Sequence, residues 1–167
     1  MHYIMKYSSP LGMLTLASDG ESIVGLWLEG QKYFAATLGG ELREEKLPVF
    51  ERARAWLDVY FSGSEPNFDL PLAPMGSEFC RAVWEELLHI PYGETVSYGE
   101  IARRLENQSG RKTSARAVGG AVGRNPISVM IPCHRVVGAN GSLTGYAGGI
   151  DKKVKLLELE RATEDFK

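Results

Sequence analysis

Cysteine and histidine are scarce in this chain: Cys80 and Cys133, with His2, His89 and His134, are all that its 167 residues hold. Two thiols cannot form a disulfide scaffold, and neither stands at metal-ligand spacing from the histidines, so no metal site and no cofactor are expected. Long apolar runs are missing as well. No window approaches the roughly 18 consecutive apolar residues of a membrane-spanning helix. The start, Met1-His2-Tyr3-Ile4-Met5-Lys6, lacks the charged, apolar and small-residue regions of a signal peptide. The expectation is a cytoplasmic, soluble protein without a membrane partner. Acidic residues are lacking in one place. From Arg103 to Arg135 the basic residues Arg103, Arg104, Arg111, Lys112, Arg116, Arg124 and Arg135 meet a single acid, Glu106. The net charge of -2 conceals this split. A local positive excess suits phosphate binding, although a surface cluster can equally be merely solvated.

What is present is enough hydrophobic content, 44%, for one domain or two small ones. Tyr3 to Tyr7, Met13 to Ser18 and Ile23 to Leu28 are strand-like runs, punctuated by Ser9-Pro10-Leu11-Gly12 and Asp19-Gly20, and predict a small antiparallel meander. A polar region, Glu29 to Lys46, follows. Val49, Ala53, Trp56, Leu57, Tyr60 and Phe61 then recur at helical spacing between Pro48 and Ser62-Gly63, and this helix should cover the sheet with its aromatics in the core. Pro66, Pro71 and Pro74 mark Ser64 to Met75 as a semi-extended linker, which divides the chain into residues 1–75 and 76–167.

After the linker, Ser77 is an N-cap candidate, and Phe79, Cys80, Val83, Trp84, Leu87 and Leu88 form a wide apolar face. Cys80 on that stripe reads as packing, and His89 at the helix end as a surface or capping residue. Ser97-Tyr98-Gly99-Glu100 is a capping-box pattern that opens a helix with Ile101, Ala102 and Leu105 inward. Residues 106–112 read as a turn, and a second helix starts near Thr113 or Ser114 and runs to Asn125-Pro126. Two short helices joined by a polar turn in the basic segment have the layout of a helix-turn-helix. The second helix, with Ala115, Arg116, Ala117, Val118, Gly119, Gly120 and Ala121, offers almost no long side chain except Arg116, so it suits close approach better than major-groove readout. A glycine-rich loop, 138–149, precedes a last helix from Asp151 to about Ala162, with Val154, Leu157 and Arg161 on one stripe or Leu156 and Glu160 on its neighbour, and Glu160 would need a partner if its face is buried.

Chemistry concentrates in Ile131-Pro132-Cys133-His134-Arg135-Val136, where a thiol, an imidazole and a cation adjoin. A thiolate is the reactive form of cysteine, and a neighbouring His⁺ or Arg favours it. This run resembles the active-site signature of the O6-alkylguanine-DNA alkyltransferases, the methylated-DNA–protein-cysteine methyltransferases. Val96-Ser97-Tyr98, Ala115 to Ala121, Arg124-Asn125-Pro126, Gly145-Tyr146-Ala147-Gly148-Gly149 and Leu156-Leu157-Glu158-Leu159-Glu160 are similar to that family too, in its order. The likeness covers about Ser77 to Glu160.

The resemblance implies an α/β (α+β) chain, with a ribonuclease H-like sheet-and-helix domain followed by a mainly helical, winged-helix-like domain. It implies a monomer acting on double-stranded DNA that carries O6-alkylguanine, with O4-alkylthymine as a further candidate substrate. Cys133 would take the alkyl group, His134 the thiol proton, and Glu160 would orient the imidazole. Asn125 would brace the turn, or by its own sequence merely end a helix before Pro126. Tyr98 would donate to the guanine ring. The carbonyls of Cys133 and Val136 would bind the exocyclic amine, the Ala147 N–H would bind O6, and Tyr146 and Val122 would line the pocket. Ser114, Ala115, Arg116, Ala117 and Gly119 would contact DNA in the minor groove, with Arg116 filling the place of a flipped nucleotide, while Arg124 and Arg135 would bind DNA through the attraction of their charge for its phosphates. Some relatives have Ser at position 147 and larger apolar residues at 122, and some carry a zinc site in the first domain for which no ligand set exists here. Rival readings are a lesion sensor without transfer, a cysteine hydrolase, and a regulatory helix-turn-helix protein. Cys133 argues against the first. The second suffers because adjacent side chains diverge and no oxyanion hole is legible. The third predicts sequence-specific binding.

Overall fold

The computed structural model describes residues 1–31, 40–143, 146 and 148–162, the last of these by its backbone. Strands β1 (His2–Ser9) and β2 (Gly12–Ser18) form a hairpin in register from Tyr3↔Ser18 to Ser9↔Gly12, and β3 (Ile23–Leu28) pairs antiparallel with β2. Gly12 closes the hairpin at φ 105, a conformation that side chains with a Cβ rarely adopt. The meander is therefore present but incomplete as read. A fourth strand, β4 (Leu42–Glu44), lies in the region taken as polar and pairs parallel to β1, so the sheet is mixed, in the order β3-β2-β1-β4. Its three residues are all exposed, as suits a short, charged edge strand, and such a strand carries no apolar alternation to announce it.

Helix α1 (Pro48–Phe61) covers one face of the sheet, starting with proline in its first turn and burying Val49, Phe50, Ala53, Leu57 and Tyr60. Each fully buried side chain of the size of Phe50 or Leu57 contributes roughly 1.5–3 kcal/mol. The other face buries Trp27 with Ala17 and Val24. All six residues of β3 are buried because its outer edge is covered twice. Ile23 N–H donates to Pro71 O and Ala73 N–H to Ile23 O, both at 2.8 Å. Leu26 N–H donates to Pro126 O at 2.8 Å, and Ser128 N–H to Leu26 O at 3.0 Å. The proline-rich segment is thus not only a linker, for part of it pairs with the sheet. The second pairing ties the sheet to the segment that leads into Cys133.

In the second half, Ser77, Ser97 and Ser114 are the N-caps of α2 (Glu78–Leu87), α3 (Tyr98–Ser109) and α4 (Ala115–Gly123), each hydroxyl accepting the N–H three residues on. Three expectations need correction. Phe79 and Leu88 are exposed, so the inward face of α2 is Val83, Trp84 and Leu87 together with Glu86, which accepts from Gln108 at 2.6 Å. Helix α3 continues through residues read as a turn and ends only where Gly110 turns left-handed at φ 75. Its last turn is polar because it faces water. Trp84 Nε1 donates to Ala121 O at 2.8 Å and locks α2 to α4. Strand β5 (Val96–Ser97) pairs parallel with β6 (Val136–Val137), and this two-stranded ribbon sets the start of α3 beside the turn Cys133–Arg135. Helix α5 (Ile150–Ala162) closes over that turn. Its inward stripe is Lys153, Leu156, Leu157 and Glu160, whereas Arg161 of the expected stripe is exposed.

Candidate active site

Asn125 stands at the entrance to the site and is buried. Its side-chain amide donates to Ile131 O at 2.8 Å, and its carbonyl accepts Ile127 N–H at 3.0 Å. Both ends of one side chain therefore hold the Pro126–Pro132 turn, which favours the brace over a mere helix stop. Within that turn Val129 has φ 71, a left-handed conformation costing a β-branched residue about 1–3 kcal/mol. The Asn125 bonds and the Leu26 pairing keep it there. Cys133 follows on a single turn of 3-10 helix, its N–H bonded to Ile131 O at 2.7 Å. Burial pushes its thiol up, and the Asn125 side chain, the Lys153 charge and Tyr146 pull the other way.

The next side chain, His134, is fully buried and its Nε2 lies 2.6 Å from Glu160 Oε2. Burial would raise the Glu160 carboxyl, but hydrogen bonds and charge from His134 and then Arg135 outweigh it and hold the group well below the usual carboxylate range. Burial lowers the His134 ring, and Glu160 opposes this. An ionised Glu160 only accepts, so Nε2 carries the hydrogen and Nδ1 is left as an acceptor. That Nδ1 is buried and has no hydrogen-bond partner among the described residues. A proton-accepting atom beside a cysteine is what general-base chemistry requires.

Arg135, assigned to DNA by its charge, has another task. Its Nε reaches Glu160 Oε1 at 2.9 Å, its Nη2 reaches Oε2 at 3.0 Å and its Nη1 reaches Ile90 O at 2.8 Å, with the guanidinium 5.6 Å over the Tyr92 ring. Only 11% of the side chain is exposed, and this cation neutralises Glu160. Gly93 N–H adds a bond to Oε1 at 3.1 Å.

Two residues of the site escaped the sequence reading. Lys153 is buried and donates to Val136 O at 2.7 Å; burial lowers its ammonium and Cys133 opposes that. Its signal was available: position 153 shares a helical stripe with Leu156, Leu157 and Glu160. Tyr60, read as core, is core at its ring, but its hydroxyl donates to Glu160 Oε2 at 2.6 Å. Nothing in a helix of aromatic spacing betrays a partner one hundred residues away.

Of the remaining expected residues, Val136 and Val122 are buried in the same cluster as Cys133. The carbonyl of Val136 accepts from Lys153, and that of Cys133 accepts Val136 N–H. Tyr146 is pushed well above the ordinary tyrosine value, by burial first and then by the charge of Cys133. Tyr98 opens α3 and sits under α4, where a Cβ added at Gly119 would come within 3.8 Å of its ring. Ser114, Ala115, Arg116, Ala117 and Arg124 are exposed and Gly119 half-buried. The Ser114 hydroxyl is occupied as the N-cap of α4. A Cβ at Gly120 would meet nothing within 4 Å, so the glycine serves no internal contact and keeps the outer face of α4 low. Ala147 lies outside the described residues.

Residues 2–74 match the family described as 6-O-methylguanine DNA methyltransferase, ribonuclease-like domain, and residues 78–162 match its DNA binding domain. The chain belongs to the 6-O-methylguanine DNA methyltransferase family. Among curated relatives, the methylated-DNA–protein-cysteine methyltransferase of Haemophilus influenzae is 44% identical over 160 residues, spanning 95% of this chain and 86% of the relative. That of Methanosarcina acetivorans is 45% identical over 159 residues, spanning 95% and 97%. The crystal structure of Mycobacterium tuberculosis OGT in complex with DNA superposes with a TM-score of 0.82 at 44% identity, covering 96% of this chain and 93% of that one. The likeness extends through residues 2–74, where the sequence motifs are weakest.

Proposed function

We propose that the protein repairs DNA by moving a methyl or other alkyl group from O6 of guanine to Cys133. The observation that carries this reading is the buried His134–Glu160 pair at 2.6 Å, directly after a buried cysteine, in a chain of this family. His134 Nδ1 takes the thiol proton through a bridging water, because successive side chains diverge. Cys133 Sγ attacks the alkyl carbon in line, the C–S bond forms, the C–O bond breaks, and guanine leaves with its charge relieved by the Tyr98 hydroxyl. The ionised Glu160 steadies the imidazolium that forms, as the orienting acid does in other nucleophile–base–acid sites. The nearby Lys153 ammonium favours the thiolate.

A guanine inside a duplex is out of reach of a buried thiol, so the nucleotide must be extruded, at a few kcal/mol. The exposed, small-residue face of α4 suits the minor groove, with Arg116 as the side chain that fills the vacated stack. A monomer suffices for this, and a cytoplasmic location fits a chain in which no helix of the described residues is long and apolar enough to cross a membrane. A thioether is stable and no group among the described residues reverses it, so one molecule repairs one lesion. Intact-protein mass after incubation with a duplex carrying O6-methylguanine tests the reading: one methyl mass on Cys133, one equivalent of protein per lesion. Repeated turnover by one molecule, or an unmodified Cys133, overturns it.

A further inference from the structure

Tyr60 belongs to α1, in the other half of the chain from Cys133, His134 and Glu160. Its ring is held by stacking on Trp56 at 5.4 Å and by edge contacts with Phe61 at 5.2 Å and Tyr92 at 6.2 Å, so the hydroxyl has little freedom of direction. It donates to Glu160 Oε2 at 2.6 Å and lies 3.4 Å from His134 Nε2, which is itself bonded to that same oxygen at 2.6 Å. With Arg135 Nη2 at 3.0 Å, three donors thus share one carboxylate oxygen, and charge drawn toward the phenol is withheld from the imidazole. We propose that Tyr60 moderates the proton affinity of His134 through Glu160, and so sets how readily the Cys133 thiol ionises, on condition that α1 is docked.

The inference rests on the reading of Cys133 as nucleophile and His134 as its base. Burial, and then the charge of Glu160, hold the Tyr60 phenol well above its ordinary value, so it remains a neutral donor. Other groups also act on the pair. Arg135, on the turn, forks onto both Glu160 oxygens, and Gly93 N–H reaches Oε1 from the loop before β5. Tyr92, from that same loop, lies beneath Arg135. Lys153 on α5 and Tyr146 after β6 both act on Cys133. Arg135 and Lys153 disfavour a proton on His134, whereas Glu160 favours one. Because the Arg135 fork and Gly93 fix the carboxylate without help, removing the Tyr60 hydroxyl frees charge without freeing Glu160 to turn. A resting thiol kept mostly un-ionised is protected from stray electrophiles until its substrate arrives.

The test is Tyr60→Phe in the full chain, with iodoacetamide labelling of Cys133 followed across pH and resolved from Cys80 by peptide mass. The apparent thiol pKa should fall by about 1, with labelling about three- to ten-fold faster below it, the smaller figure because a more acidic thiol gives a weaker nucleophile. A superimposable pH profile, or a rate change equal at every pH as from loosened packing, overturns the proposal. Incorporating 3-fluorotyrosine at Tyr60 keeps the ring and strengthens the donor, so it should move the apparent pKa up; a downward move or none overturns the proposal even where Tyr60→Phe does not fold. Failure of the underlying reading looks different, since Cys133 of the unaltered chain then never acquires the methyl from duplex DNA.

Discussion

Glu160 Oε2 lies 2.6 Å from His134 Nε2 with neither side chain exposed to solvent, although one comes from α5 and the other from the turn after Cys133. Ionised and neutral partners coexist there because Arg135 supplies the counter-charge within the same cluster. The carboxylate thereby determines which nitrogen of His134 is free to act.

Glu160→Gln removes that charge while keeping the shape. Thiol reactivity should fall at neutral pH and its apparent pKa should rise, because the imidazolium loses its stabilising anion. This is opposite in direction to the effect expected of Tyr60→Phe. The fold should lose about 3 kcal/mol, since a guanidinium with 11% exposure is left without a counter-charge. Denaturant melts and a labelling pH profile check both; an unchanged profile removes Glu160 from the proton path.

Acid should destabilise the protein in two stages. His134 and Glu160 both have folded values below their unfolded ones, so each contributes stability that is complete above its unfolded pKa and is lost as protons bind the unfolded chain first. Stability should therefore decline as pH falls through about 6.5, and more steeply through about 4.3. His134→Gln should remove the first stage and leave the second. Melting temperatures across pH would show whether it does.

Asn125→Ala strands the Ile131 carbonyl and the Ile127 N–H in a buried turn that also holds Val129 in a strained conformation. The expected loss is about 2–4 kcal/mol, accompanied by slower transfer as Cys133 loses its fixed position. Calorimetry and single-turnover kinetics on one preparation measure the two effects. If Asn125 merely ended a helix, stability would change by well under 1 kcal/mol.

Arg116→Ala tests extrusion. Free O6-benzylguanine needs none, so the variant should react with it nearly as the unaltered chain does, yet lose more than about ten-fold on duplex DNA, by forfeiting part of the few kcal/mol that a flipped base requires. Salt-dependent affinity should fall only modestly, because Arg103, Arg104, Arg111, Lys112 and Arg124 remain. Arg135 is left out of that set, its side chain being committed to Glu160. Equal losses on both substrates would place Arg116 in the fold instead.

Features whose bonds close within a few residues were legible in the sequence. Ser77, Ser97 and Ser114 each cap a helix through a bond three residues away, the Ser9-Pro10-Leu11-Gly12 turn closes its hairpin, and Cys133 and His134 adjoin in the chain itself. Packing decided the rest. Strand β4 owes its existence to a parallel pairing with β1, some forty residues earlier, and its three exposed residues have no pattern of their own. Arg135 reads as one more cation in a basic stretch until Glu160 is brought to it, and Tyr60 as one more core aromatic until its hydroxyl meets the same carboxylate. Lys153 could be placed on the buried stripe of α5, but its position beside Cys133 could not. Helical and strand periods report which face a side chain takes, whereas the partner it meets depends on how α1, the turn after Pro132 and α5 converge; that convergence follows from burying their apolar faces together, and no local pattern encodes it.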